Sequence, residues 1–193
     1  DPSRSATLFA AERARAAGAT VFLDLDFRPD QWHDPRAFGI AVRGALPLCD
    51  VVIGTEEEVK AAFLERAAGV RVEGSQISGA AVEGALEPAI AGLLERGPRA
   101  VVVKRGARGA AVHEPGGRVT EAAPFPVEVV NVLGAGDAFA SGLLYGFLHG
   151  WDWHRAARMG NATGAIVVTR QGCANFMPRE QEALDFIAAR GGF

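Results

Sequence analysis

Three short apolar runs constrain the 193-residue chain more than any other feature of its sequence. Residues 20–24, 50–54 and 100–104 read Thr20-Val21-Phe22-Leu23-Asp24, Asp50-Val51-Val52-Ile53-Gly54 and Ala100-Val101-Val102-Val103-Lys104. Each is too short for a helix and lacks polar alternation, the pattern of strands buried on both faces. Between and around them the apolar spacing is helical. Leu8, Ala11, Ala14 and Ala17 repeat at that spacing before Gly18, and residues 35–46, 87–95, 153–169 and 179–189 follow suit. Strands alternating with helices predict an α/β fold over residues 1–193, a single domain with a mostly parallel sheet and helices on both faces. Residues 106–119 read as a hairpin turned at Pro115-Gly116-Gly117, and residues 69–84 as a glycine-rich irregular stretch.

A net charge of −3 and the absence of any Lys/Arg block give nucleic acid no field to respond to. No apolar run reaches membrane length. Cys49 and Cys173 have neither metal nor disulfide spacing. They read as small core residues, and a reducing, cytoplasmic setting is the default. His33, His113, His149 and His154 form no ligand cluster, and Trp151 and Trp153 read as packing at a helix start. The chain begins at Asp1 and runs straight into a helical pattern, from which a missing N-terminal portion is expected.

One stretch carries chemistry. The β-like run 125–132 leads into Gly134-Ala135-Gly136-Asp137, and Ala138, Leu143, Leu144, Phe147 and Leu148 then recur at helical spacing. The reading is strand, glycine turn, helix N-terminus. Glycines leave no side chain between amides and ligand, and the first amides of a helix, unpaired and at the positive end of its dipole, suit an anion. Asp137 is then out of place. It is either a first-turn acid that stabilises the helix by about 0.5–2 kcal/mol, or a general base beside a phosphate. A P-loop is excluded because no Gly-x-x-x-x-Gly-Lys-Ser/Thr occurs, and the dinucleotide fingerprint loses its third glycine to Phe139.

Residues 131–137, Asn131-Val132-Leu133-Gly134-Ala135-Gly136-Asp137, resemble the Asp-Thr-x-Gly-Ala-Gly-Asp signature of the ribokinase-like carbohydrate kinases. Asn131 and Val132 depart from the leading Asp and Thr. The resemblance runs from about residue 20 to residue 178. It implies that the amides around Gly134, Ala135 and Gly136 form an anion hole, that Asp137 is the catalytic base acting on the substrate hydroxyl, and that ATP and Mg²⁺ are required. Lys104, Gly106 and Gly109 look like the family's turn against ATP phosphates. Asn161 resembles a helix asparagine near the adenine, and Gly172 falls in the small-residue loop that closes the nucleotide site. Glu57 matches the acid of an Asn-x-x-Glu motif linked to magnesium, with Gly54 in place of the Asn. Its plainer reading is one of three first-turn acids favouring the helix dipole.

Asp24-x-Asp26-x-Arg28-Pro29-x-x-Trp32 is similar to the Asp-x-Asn-x-Arg-Pro-x-x-Trp segment of kinases for keto-deoxy sugar acids, with Asp26 departing from the Asn. Arg28 is then a clamp for a substrate carboxylate, or else a surface ion pair of little consequence. The resemblance implies phosphorylation of 5-dehydro-2-deoxy-D-gluconate to its 6-phosphate, in myo-inositol breakdown. The alternatives are 2-keto-3-deoxygluconate, fructose, or an inactive fragment that only binds nucleotide. Family members are about half as long again, so part of the sugar site and a small β lid are expected to be absent. A homodimer of the full-length protein is compatible with the resemblance, and Asn131 weakens the expectation of a monovalent cation beside the anion hole.

Overall fold

The computed structural model describes residues 2–72 and 80–193. The buried runs form strands where the apolar pattern places them. β1 (Phe22–Asp24) and β2 (Val51–Thr55) pair in parallel, with Phe22 opposite Val51 and Asp24 opposite Ile53. The helix α2 (Arg36–Ala45) connects them, as a parallel pair requires. The third run is β5 (Ala100–Lys104), and the hairpin strands are β6 (Ala110–His113) and β7 (Val119–Ala122). Strand order in this sheet is β1-β2-β5-β6-β7. Among the described residues no helix is long and apolar enough to cross a membrane.

The chain divides into two compact units, residues 1–103 with 113–118, and residues 104–112 with 119–193. In the first, Phe38, Leu46, Val52, Val59, Ile90, Leu93, Val101 and Val103 build the core. The helix α1 (Pro2–Ala16) buries no residue and ends before Gly18 in the left-handed region, as its sequence predicts. α2 buries Phe38, Gly39, Val42 and Ala45, one stripe at helical spacing. α3 (Glu56–Ala61) starts with a capping box. The Glu58 amide donates to Thr55 Oγ1 at 3.2 Å, and the Thr55 amide donates to Glu58 Oε2 at 2.6 Å. The stretch expected to be irregular holds an antiparallel pair, β3 (Val70–Val72) and β4 (Ala80–Val82), which leads into α4 (Leu86–Leu94). β-branched Val70 and Val82 outweigh the surrounding glycines there. Residues 73–79 of that stretch lie outside the described residues.

The second unit is built on α5 (Ala135–Leu148), α6 (Trp153–Val168) and α7 (Glu180–Ala188). α5 and α6 approach closely because small residues meet. A Cβ on Gly142 would stand 2.7 Å from Met159 O, and one on Gly146 2.7 Å from Ala156 Cα. Thr163, buried between the helices, donates to Ala138 O at 2.6 Å. A hydroxyl in that place needs such a partner, since an unpaired one costs about 1–3 kcal/mol.

Candidate active site

The route from β7 to α5 is not a strand. Residues 123–132, which include the run expected to be β, form no ladder. Pro124 and Pro126 have no amide to donate, and the backbone is fastened to α6 instead. Asn161 Nδ2 donates to Ala122 O and Ala123 O, both at 2.9 Å. Arg158 donates to Ala123 O at 2.8 Å, Pro124 O at 3.3 Å and Gly192 O at 2.7 Å, with its guanidinium 3.8 Å from the Phe125 ring centre. Arg158 is buried, and burial lowers its pKa from the usual value. Farther along, the amides of Val130 and Asn131 both donate to Val168 O, at 2.8 and 3.1 Å. Two side chains and one carbonyl of α6 thus hold the arm that ends at the glycine turn.

The turn itself is set by Asn131. Its Oδ1 accepts from the Leu133 amide at 3.0 Å, a local side-chain turn. Its Nδ2 donates to Gly172 O at 3.5 Å. Gly134 then takes φ +84° and ψ −1° as the N-cap of α5, a conformation open to glycine and strained for most other residues. A Cβ on it would stand 2.9 Å from Cys173 Sγ, so the Gly172-Cys173 loop closes directly on the turn. The Ala135 amide is spent on Val132 O at 3.2 Å. Gly136 and Asp137 occupy the first turn, whose amides have no acceptor within the helix. Of the amides expected to form an anion hole, that of Ala135 already has an acceptor, which leaves those of Gly136 and Asp137.

Lys104, at the end of β5, meets this turn. Its Nζ lies 3.5 Å from the place a Gly136 Cβ would occupy. An ammonium therefore stands next to a helix start at which two amides have no acceptor within the helix. That combination suits a phosphate group by charge and by donor count. Asp137 is exposed and occupies the third position of α5. Gly106 opens a tight turn closed by Arg105 N–H to Gly109 O at 2.8 Å. Gly109, at φ +80°, leaves no room for a Cβ against Ala122 O. Gly172 likewise has Phe176 against it. These two glycines are required by packing, and so is Asn161, whose amide group serves two carbonyls.

The first unit holds the other two expected residues. Glu57 Oε2 accepts from the Val82 amide at 2.5 Å, and Oε1 pairs with Lys60 at 2.7 Å. It ties α3 to β4. No group of three or more metal-ligating side chains occurs among the described residues. Both Glu57 oxygens are thus engaged within the first unit. Lys60 also lines a cavity of about 470 Å³ with Phe63, Arg66, Glu83 and Pro88. Arg66 and Glu83 pair there at 2.7 Å, which leaves its wall with little net charge. Gly54 stands against Leu25, and a Cβ on it would come 2.8 Å from Leu25 Cδ1. Arg28 Nη2 pairs with Asp26 Oδ1 at 2.6 Å.

The chain matches the model of the pfkB family carbohydrate kinases over residues 1–180. It belongs to that family. It is 32% identical to the 5-dehydro-2-deoxygluconokinase of Geobacillus thermodenitrificans over 186 residues, covering 96% of this chain and 51% of that relative. It is 33% identical to the enzyme of the same name from Shouchella clausii over 181 residues, covering 94% and 51%. The chain thus spans about half the length of the curated relatives it matches. Among solved structures, a ribokinase-like protein of E. coli in complex with ATP and Mg²⁺ superposes with a TM-score of 0.76 at 30% identity, over 93% of this chain and 52% of that one. A fructokinase of Vibrio cholerae with fructose, ADP and calcium gives 0.77 at 29% identity, over 96% and 56%. The mostly parallel α/β fold expected of a ribokinase-like kinase is the fold observed.

Sequence reasoning missed two residues of this neighbourhood. Arg158 interrupts the small and apolar run Ala156-Ala157-Arg158-Met159-Gly160, and a cation on a buried face needs partners; that signal was readable. Cys173 is half-buried against Gly134 rather than a core residue like Cys49, and no spacing rule foretells that contact.

Proposed function

We propose that the protein carrying this chain is an ATP-dependent sugar kinase that phosphorylates the primary hydroxyl of a sugar acid, 5-dehydro-2-deoxy-D-gluconate to its 6-phosphate. One observation supports the reading: Lys104 Nζ stands 3.5 Å from the Cβ position of Gly136, in the first turn of α5 that also carries Asp137. The two relatives at 32% and 33% identity support the choice of substrate.

The Gly136 and Asp137 amides hold the γ-phosphoryl as charge builds on it, and the helix dipole adds to their effect. Lys104 supplies a point charge to the same oxygens. Asp137 takes the proton of the attacking hydroxyl, and a carboxylate suits that task because phosphoryl transfer needs mostly positioning and electrostatics. Mg²⁺ bound with ATP would neutralise the phosphate charge, and Glu57 is the carboxylate that the family resemblance assigns to it. Arg28 pairs with the carboxylate of the sugar acid.

Asp137→Asn in the full polypeptide tests the reading. ATP affinity stays nearly unchanged and kcat falls by roughly 10²–10⁴. A kcat within about threefold of wild type would return Asp137 to a helix-stabilising role. ADP release measured with 5-dehydro-2-deoxygluconate, 2-keto-3-deoxygluconate and fructose decides the substrate. A neutral ketose is the second reading, and one observation favours it: Arg28 already has a carboxylate partner in Asp26.

A further inference from the structure

The segment after β1 is rigid on one side and charged on the other. Leu25 and Phe27 are buried, and the Leu25 amide donates to Ile53 O at 2.9 Å. Phe27 packs on Phe38 with ring centres 4.7 Å apart, and Trp32 meets the same ring edge-on at 5.7 Å. Alternation turns Asp26 and Arg28 away from that core. Pro29 keeps Arg28 extended, at φ −120° and ψ 98°. Asp26 is the one non-glycine residue among those described with a positive φ, +39°. That conformation admits Asn more readily than most side chains, and asparagine is what the similar segment of sugar-acid kinases carries. The chain keeps an aspartate there, and its Oδ1 lies 2.6 Å from Arg28 Nη2.

We propose that Asp26 is an internal stand-in for the substrate carboxylate, a latch that holds Arg28 and yields it when a sugar acid binds. Asp26 thereby sets how strongly the protein prefers an acid over a neutral sugar. The proposal rests on the sugar-acid reading of Arg28. A bound acid must displace Asp26, while a neutral sugar leaves the pair in place. Asp26 is 63% exposed and Arg28 28% exposed, so the competition is screened and its effect modest.

The test is a double-mutant cycle in the full polypeptide, reading KM for the sugar acid, for fructose and for ATP. Asp26→Asn keeps the side-chain shape and the tolerance of positive φ. It should lower KM for the acid by about two- to fivefold, the range of an exposed ion pair, and leave KM for fructose and ATP unmoved. In an Arg28→Ala background the same substitution should do nothing to the acid. Asp26→Gly, which relieves the backbone, should behave like Asp26→Asn. An acid KM that is unchanged or raised in Asp26→Asn overturns the latch, because Asp26 would then be orienting Arg28 rather than competing for it. If Arg28→Ala alone leaves the acid KM unmoved, the carboxylate reading fails first, and the latch falls with it. Equal shifts for acid and fructose would also overturn the latch, since only a charged substrate competes.

Discussion

Gly136→Ala separates folding from function at the phosphate turn. The residue sits in the first turn of α5 with ordinary helical geometry, so a methyl meets no backbone strain. Its nearest contact would be Lys104 Nζ at 3.5 Å, a normal van der Waals distance. Alanine is a better helix former than glycine by about 0.8–1.0 kcal/mol in a helix interior, and somewhat less is gained near an end. For a chain of this size that is a rise in Tm of up to roughly 2–4 °C. Function should move the other way. A phosphate oxygen bound by both the amides and the ammonium would have to occupy the space the methyl takes. Alanine keeps the amide, so the loss is one of access; blocking one such oxyanion donor costs about 10²–10³ in kcat elsewhere, and kcat/KM for ATP should fall by about that factor.

Gly134→Ala is the control. Its φ of +84° costs an L-residue roughly 1–2 kcal/mol, and its Cβ, 2.9 Å from Cys173 Sγ, forces the loop to shift. Adding Cys173→Ala should relieve the contact and leave the backbone cost. Thermal melting and steady-state ADP release, both on the full polypeptide, provide the two readouts. A Gly136→Ala protein with wild-type kcat/KM would refute the idea that its amide and Lys104 share a phosphate. A large fall in its Tm would refute the packing argument.

Arg158→Ala should destabilise the protein by about 1–3 kcal/mol, because it leaves the carbonyls of Ala123, Pro124 and Gly192 without their donor. Arg158→Met keeps much of the volume against Phe125 and should lose less; a Tm within a degree of wild type for both would show that the arm does not depend on this clamp. Asp34 titrates at about 2 rather than 3.8, because its hydrogen bonds from Arg36, first through the side chain and then through the backbone amide, favour the carboxylate. A depressed folded-state pKa contributes stability above the unfolded value of 3.8 that is lost as pH falls through about 2. NMR titration of the Asp34 carboxyl should show that midpoint in wild type and a return toward 3.8 in Arg36→Gln; an unshifted wild-type midpoint would disprove the pairing.

The elements legible in sequence are those whose cause is local. β5 falls where Ala100 to Lys104 are apolar and β-branched, and α1 stops where Gly18 can turn left-handed. The acidic start of α3 favours the helix dipole by sequence alone, and the structure adds the reciprocal cap between Thr55 and Glu58. The failures have non-local causes. Residues 125–132 alternate and branch like a strand, but Pro126 removes a donor, the α6 side chains hold the carbonyls of residues 122–124 just ahead of the run, and Val168 O takes the amides of Val130 and Asn131. Glu57 pairs with Lys60 one turn on, which spacing allows, and with the Val82 amide, which lies 25 residues away and which no local rule reveals.

Asn131 joins these two lessons. The sequence reading treats it as a departure from an acidic position. The structure gives it a turn to close with its oxygen and a loop to hold with its nitrogen, Leu133 N–H on one side and Gly172 O on the other. An aspartate in that place could accept from Leu133 but could not donate to Gly172. The amide is therefore the side chain that can bind both the turn entering α5 and the loop carrying Cys173. Because Cys173 backs Gly134, a single asparagine couples the glycine turn at the start of α5 to the loop that carries Cys173.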